Sequence, residues 1–207
     1  MSDTPQGTGR PRGRPRNDAV NRPTSDGILD AAERVFAAKG FANTSLRALI
    51  AESRVSTTAF YARFDSKDAV LAALLMRLMT SIGEAVLATM PRARNVAAGF
   101  ESGVDVLVDA LVRHRTIAKV ALGEGAGSAP VRDTLLSGYR ELASLLEDNL
   151  TKLKAKGTVD VDDPAALAWA LVGALQMQVM RWAVFADLDD DGLRASLRAT
   201  ARALLPR

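Results

Sequence analysis

The chain has 207 residues, 48% of them apolar, with no cysteine and one histidine. That is enough material for one large or two small packed domains, and it excludes disulfides, thiolate metal sites, cysteine nucleophiles and a His-rich metal centre, while a serine-histidine-acid triad could be built only on His114. The net charge of +3 is unevenly placed, with 12 Lys/Arg against 8 Asp/Glu through Met79 and 15 against 16 beyond it, so the basic excess lies at the end where a phosphate-binding surface would need it.

Residues 1–24 are rich in Gly, Pro, Arg and Thr, hold almost nothing apolar, and read as a disordered basic arm. The arm has no apolar run of the kind a secretory signal needs. The longest uncharged run, Ala165 to Met180, is too short to span a membrane and contains Gln176 and Gln178, so a cytoplasmic protein without a membrane partner is expected. Within the arm, Gly9 to Arg16 spells GRPRGRPR, which is similar to an AT-hook. In that motif Gly13 would permit close backbone approach, Pro15 would favour an extended chain, and Arg12 and Arg14 would enter a narrow A/T-rich minor groove. A basic tail that touches only phosphates is the competing reading.

The first helix begins at Thr24, Ser25 or Asp26, turns Ile28, Leu29, Ala32, Val35 and Phe36 to a core, and stops at Gly40, with Phe41 folding back onto it. Thr44 or Ser45 caps the second helix, whose stripe is Leu46, Leu49 and Ile50, with Arg47 facing away to reach DNA or solvent. After a short turn Ser56 caps a third helix carrying Ala59, Phe60 and Phe64. Two short helices joined by a tight turn hold the second outward, so that Ser56, Thr57, Thr58 and Ala59 face the base edges of a major groove and the exposed phenol of Tyr61 suits a phosphate or sugar.

From Ile28 to Leu75 the chain closely resembles the DNA-binding domain of the tetracycline-repressor (TetR) family, through Ala31-Ala32, Phe36, Gly40-Phe41, Thr44, Phe60-Tyr61, Phe64 and Ser66-Lys67. The resemblance implies an all-α fold of about nine helices: a three-helix helix-turn-helix domain at 25–70 and a helical ligand-binding and dimerisation domain at 71–207. It implies a homodimer on a double-stranded operator and a small-molecule effector, with no catalytic residue, metal or cofactor. It also implies phosphate contacts from the Thr44 hydroxyl and from Lys67. Ser53-Arg54 and Thr57-Thr58 depart from the Ala-Gly turn and Lys-Gly pair common in relatives, so either Arg54 holds a less forgiving conformation or the turn differs slightly, and base preference cannot be transferred.

A long fourth helix, Ser66 to about Met90, carries Val70, Leu71, Leu74, Leu75 and Leu78 and ends at Pro91. Further helices follow over Val96–Arg113, Thr116–Leu122, Pro130–Lys156, Pro164–Phe185 and Gly192–Leu205, broken by glycines and by Asp-rich caps. The Gly123 to Ser128 loop lacks the Gly-Lys-Ser/Thr ending of a nucleotide loop. The Ala165–Met180 helix is apolar nearly all round, so Ala170, Gly173 and Ala174, with Leu193 and Leu197 of the last helix, are the candidate dimer interface. A pocket among the fourth, fifth, seventh and eighth helices would draw on Met79, Phe100, Val104, Leu107, Leu111, Tyr139, Leu142, Trp169, Met177 and Met180.

The function expected is a ligand-responsive repressor; an activator or architectural protein that relies on the arm, or a helical carrier, are the alternatives. Removing residues 1–22 should weaken operator binding in a salt-dependent way while leaving sequence preference intact, as measured by titrating specific and scrambled duplexes.

Overall fold

A computed structural model of the chain describes residues 25–89 and 96–205. Among these residues there are nine α-helices and no strand: α1 Ser25–Lys39, α2 Leu46–Ser53, α3 Thr57–Tyr61, α4 Lys67–Thr89, α5 Val96–Arg113, α6 Arg115–Leu122, α7 Ala129–Ala155, α8 Pro164–Met180 and α9 Asp190–Leu204. A π-helical turn, Arg181–Phe185, extends α8. The first three form the helix-turn-helix domain, and the helices from α5 onward form a C-terminal helical domain. The Arg-Pro arm, with Arg12 and Arg14, and Pro91 lie outside the described residues.

Helix boundaries have local causes. Gly40 takes a positive φ of 76° after α1, and its N–H donates to the Phe36 carbonyl. Phe41 then returns to stack edge-on against Phe36, with ring centroids 5.2 Å apart. Ser45, Ser56, Asp163 and Asp189 are N-caps whose side-chain oxygens accept from the backbone N–H groups of Ala48, Ala59, Ala166 and Gly192.

One apolar core runs through both domains. It gathers Ile28, Val35 and Phe36 of α1, Leu49 of α2, Phe60 of α3, Leu71 and Leu74 of α4, Val108 of α5, Ile117 of α6, and Leu193 and Leu197 of α9. α4 carries that continuity, since it packs against α1 on one side and α5, α6 and α7 on the other. Its segment Lys67–Val86 has the length and hydropathy of a membrane span, but Val70, Leu71, Leu74, Leu75 and Leu78 are buried against other helices, as in a core helix. A second cluster joins Phe100, Ala143, Leu146, Leu150, Ala168 and Leu171 of α5, α7 and α8.

α9 is tied to α5 by charge as well as by its apolar stripe. Arg198 donates to both oxygens of Asp105, at 3.0 and 2.6 Å, Arg194 donates to Asp105 and Asp109, and Arg202 to Glu101. Burial acts to raise the Asp105 pKa, but the hydrogen bonds and charges of Arg198 and Arg194 together outweigh it and hold the carboxyl below its ordinary 3.8. A depressed folded-state pKa stabilises the fold above the ordinary value, and that contribution is lost as pH falls through the lowered one. In Asp105→Asn the thermal midpoint should therefore be lower near neutral pH, and its difference from the parent should shrink as pH falls below the ordinary carboxylate value; a difference independent of pH would refute this.

Candidate nucleic-acid interface and internal cavity

The short α3 is aimed by what lies beneath it. Phe60 is fully buried, and its ring lies 5.8 Å from that of Phe64, which anchors α3 on α1 and α4. Neighbouring residues of the helix are thereby turned outward: Thr57 and Thr58 are exposed, and Tyr61 is 52% exposed with its ring nearly perpendicular to that of Phe60. Among the described residues the hydroxyls of Thr57, Thr58 and Tyr61 have no hydrogen-bond partner. Ser56 is exposed but its oxygen is engaged by the Ala59 N–H, so it sets the start of α3.

The turn before α3 holds Arg54 at φ 55° and ψ 27°, a left-handed conformation that a residue with a side chain rarely adopts. Arg47 and Arg54 are both exposed and, among the described residues, unpaired. Two other arginines of this domain are committed, Arg34 to Glu52, and Arg63 to Ser25 and the Ala59 carbonyl.

Two sequence expectations meet a different geometry. Thr44 is 3% exposed and its hydroxyl donates to the Gly40 carbonyl at 2.7 Å, so it holds the end of α1, while Ser45 caps α2. Burial removes the Thr44 hydroxyl from the surface where a phosphate would lie. The Lys67 ammonium, half-buried, donates to the carbonyls of Phe41 at 3.0 Å and Ala42 at 3.3 Å and sits 4.5 Å from the centre of the Phe41 ring. It pins the loop between α1 and α2 to the start of α4, leaving one of its three donors.

The C-terminal helices enclose a cavity of about 340 Å³. Its walls come from α4 through α8, with Leu75, Leu107, Leu111, Leu142 and Val179 among the apolar side chains. Met79 and Tyr139 also line it. Gly138 makes room for the Met79 thioether, which would have to move aside for a Cβ at that position. Burial pushes the Tyr139 phenol up to about 12, so it is a neutral hydroxyl at physiological pH.

Phe100, Val104, Trp169, Met177 and Met180, expected at the pocket, do not line it. Phe100 and Val104 are buried core on α5, and Trp169 and Met177 on α8 stand 50% and 51% exposed. Leu193 and Leu197 are likewise corrected. Both are fully buried within the chain, where the arginine clamp draws the apolar face of α9 inward against α5, so they form core and no interface. Ala170 and Gly173 are exposed on α8 and Ala174 is half-buried.

His114, the single histidine, has a defined partner. At the corner between α5 and α6 its Nδ1 lies 2.7 Å from Glu33 Oε1 of α1, whose other oxygen accepts from Arg77 of α4 at 3.3 Å. Arg77 also donates to Asp30 at 2.7 Å. This cluster joins the helix-turn-helix domain to the α5–α6 corner. Nothing in the spacing of Glu33, Arg77 and His114 along the chain announces it.

Comparison with known proteins agrees with this architecture. The pattern of "Bacterial regulatory proteins, tetR family" matches residues 28–74. The HTH-type transcriptional repressor Rv3405c of Mycobacterium tuberculosis is 30% identical over 209 residues, covering 93% of this chain and 98% of the repressor. Among solved structures, the fatty acid degradation regulator FadR of Bacillus halodurans superposes with a TM-score of 0.73 at 22% identity, over 89% of this chain and 95% of that one. The Thermus thermophilus FadR, a TetR-family repressor in complex with lauroyl-CoA, gives 0.68 at 21% identity, over 87% and 93%. At that identity the two structures are evidence of the shared fold.

The left-handed turn offers a direct check. Glycine lacks the steric cost that arginine meets at position 54, so Arg54→Gly should raise stability by about 0.5–1 kcal/mol. The readout is a higher urea midpoint with an unchanged slope; an unaltered midpoint would show that the arginine side chain repays the backbone cost.

Proposed function

Because the chain belongs to the tetR family of bacterial transcriptional regulators, we propose that it is a homodimeric repressor released from a palindromic operator by a small apolar effector. The observation that carries this reading is the double duty of α4, which shares the buried core of the helix-turn-helix domain at Leu71 and Leu74 and forms a wall of the internal cavity at Leu75 and Met79. A ligand that fits the cavity in only one position of α4 would bias where the two α3 helices lie, and operator affinity would fall by that difference in binding energy.

In this reading residues 25–70 read DNA, residues 71–207 bind effector and dimerise, and the 1–24 arm adds affinity through Arg12 and Arg14. Thr57, Thr58 and Tyr61 enter the major groove, and Arg47 and the remaining donor of Lys67 meet phosphates. A second copy covers α8. Ala166, Trp169, Ala170, Gly173 and Met177 are all exposed at helical spacing, and the outer side of α9 adds the small exposed Ala195 and Ala199. Small residues let two such helices approach closely, while Trp169 and Met177 provide the apolar area a stable interface needs. The name of the mycobacterial relative supports repression, and the acyl-CoA bound by the Thermus structure supports an effector with an apolar body. A regulator of this kind acts where the chromosome is, in the cytoplasm.

Duplexes tiled across the gene's own upstream region, at about 150 mM salt to suppress weak phosphate binding, test the proposal. Saturable binding to one tile is expected, weakened about tenfold or more by Tyr61→Ala. Uniform weak binding to every tile, unchanged by the substitution, would refute it.

A further inference from the structure

The polar groups around the cavity are of one electrostatic kind. Among the described residues that line it there is no lysine, arginine or histidine; its two charged side chains are Glu84 of α4 and Glu141 of α7. Both are exposed, which puts them at the mouth, while the interior is aliphatic with Tyr139, Asn149 and Gln176 as polar points. Glu84 has no hydrogen-bond or ion-pair partner among the described residues, and Glu141 meets only the Ser137 hydroxyl, at 3.5 Å. Elsewhere many carboxylates of this chain are spent on arginines, as Asp105 is on Arg194 and Arg198 and Glu33 on Arg77. Two exposed carboxylates without cationic partners among the described residues, both lining one cavity, favour a positive ligand group and oppose a negative one, within the limits of solvent screening.

We infer that the effector is an apolar cation, with an alkyl or ring body in the cavity and a protonated or quaternary amine at its mouth against Glu84 and Glu141. The inference rests on the proposed reading of this cavity as the effector site. Tyr139 in the lining carries a neutral phenol and an aromatic ring, both compatible with an ammonium group. A fatty carboxylate or a phosphate-bearing thioester would bring its charge to two like charges, and the neutral alcohol of the same chain would gain nothing from them. Because Glu84 belongs to α4, a cation held there acts on the helix whose core reaches the DNA-reading domain.

Calorimetric titration of the full chain with decyltrimethylammonium, 1-decanol and decanoate, all below their aggregation concentrations, separates the possibilities. The ammonium should bind one per chain about tenfold tighter than decanol, with decanoate weakest. Glu84→Gln combined with Glu141→Gln changes only exposed side chains, and it should bring the ammonium to the affinity of decanol while leaving decanol unaltered. Equal affinities for ammonium and decanol, tighter binding of decanoate, or an ammonium affinity indifferent to the double substitution would overturn the cationic class and leave the cavity as an effector site. Failure of all three ligands to bind would overturn both.

Discussion

The burial of α4 is the constraint on which the rest of the molecule depends. Val70 and Leu71 are fully buried, and Leu74, Leu75 and Leu78 nearly so, and their neighbours come from α1 on one side and the C-terminal helices on the other. Each such leucine contributes about 1.5–3 kcal/mol by leaving water, so the stripe is a large share of what holds the domains together. A helix whose inner face is shared by two domains cannot move in one without disturbing the other. The Glu33, Arg77 and His114 cluster adds direction to that coupling: partly exposed ion pairs contribute little net energy, but they fix which turn of α1 faces which turn of α4 and the α5–α6 corner.

Around this spine the chain distributes its charges with economy. Several arginines on the C-terminal helices are paired with acids on neighbouring helices, as in the α5–α9 clamp and in Arg115, which donates to Asp190 at 2.6 Å while Asp190 also accepts from the Trp182 indole. Some of the unpaired groups stand where a ligand or partner would meet them. Arg47, Arg54, Thr57, Thr58 and Tyr61 cluster about α2 and α3, and Glu84 and Glu141 flank the cavity. A charge or hydroxyl left without an internal partner keeps its full capacity for an external one.

Local chemistry explains why so much of this was legible. Gly40, Ser45, Ser56, Asp163 and Asp189 each fix a helix end through a bond within a few residues, and the periodicity of Ile28 to Phe36 and of Val70 to Leu78 assigns their inner faces directly. The left-handed turn at Arg54 was visible as a missing glycine. Failures came where periodicity carries no phase. α8 is apolar on every side, so the sequence could not say that Val172, Gln176 and Val179 line the cavity while Trp169, Gly173 and Met177 are exposed and do not. Gln176 stood out in the sequence only as a polar interruption.

By itself, then, the sequence determined the helices, their ends, the helix-turn-helix and the family, because all of these follow from contacts or repeats between residues close along the chain. Tertiary structure alone decided the partners of groups far apart: that the single histidine meets Glu33 across 81 positions, that Thr44 and Lys67 turn inward to carbonyls, that Leu193 and Leu197 are core, and that two unpaired glutamates share one cavity mouth. Those pairings depend on how helices cross and rotate against one another, and that rotation is set by the packing of many side chains together, which no single stretch encodes.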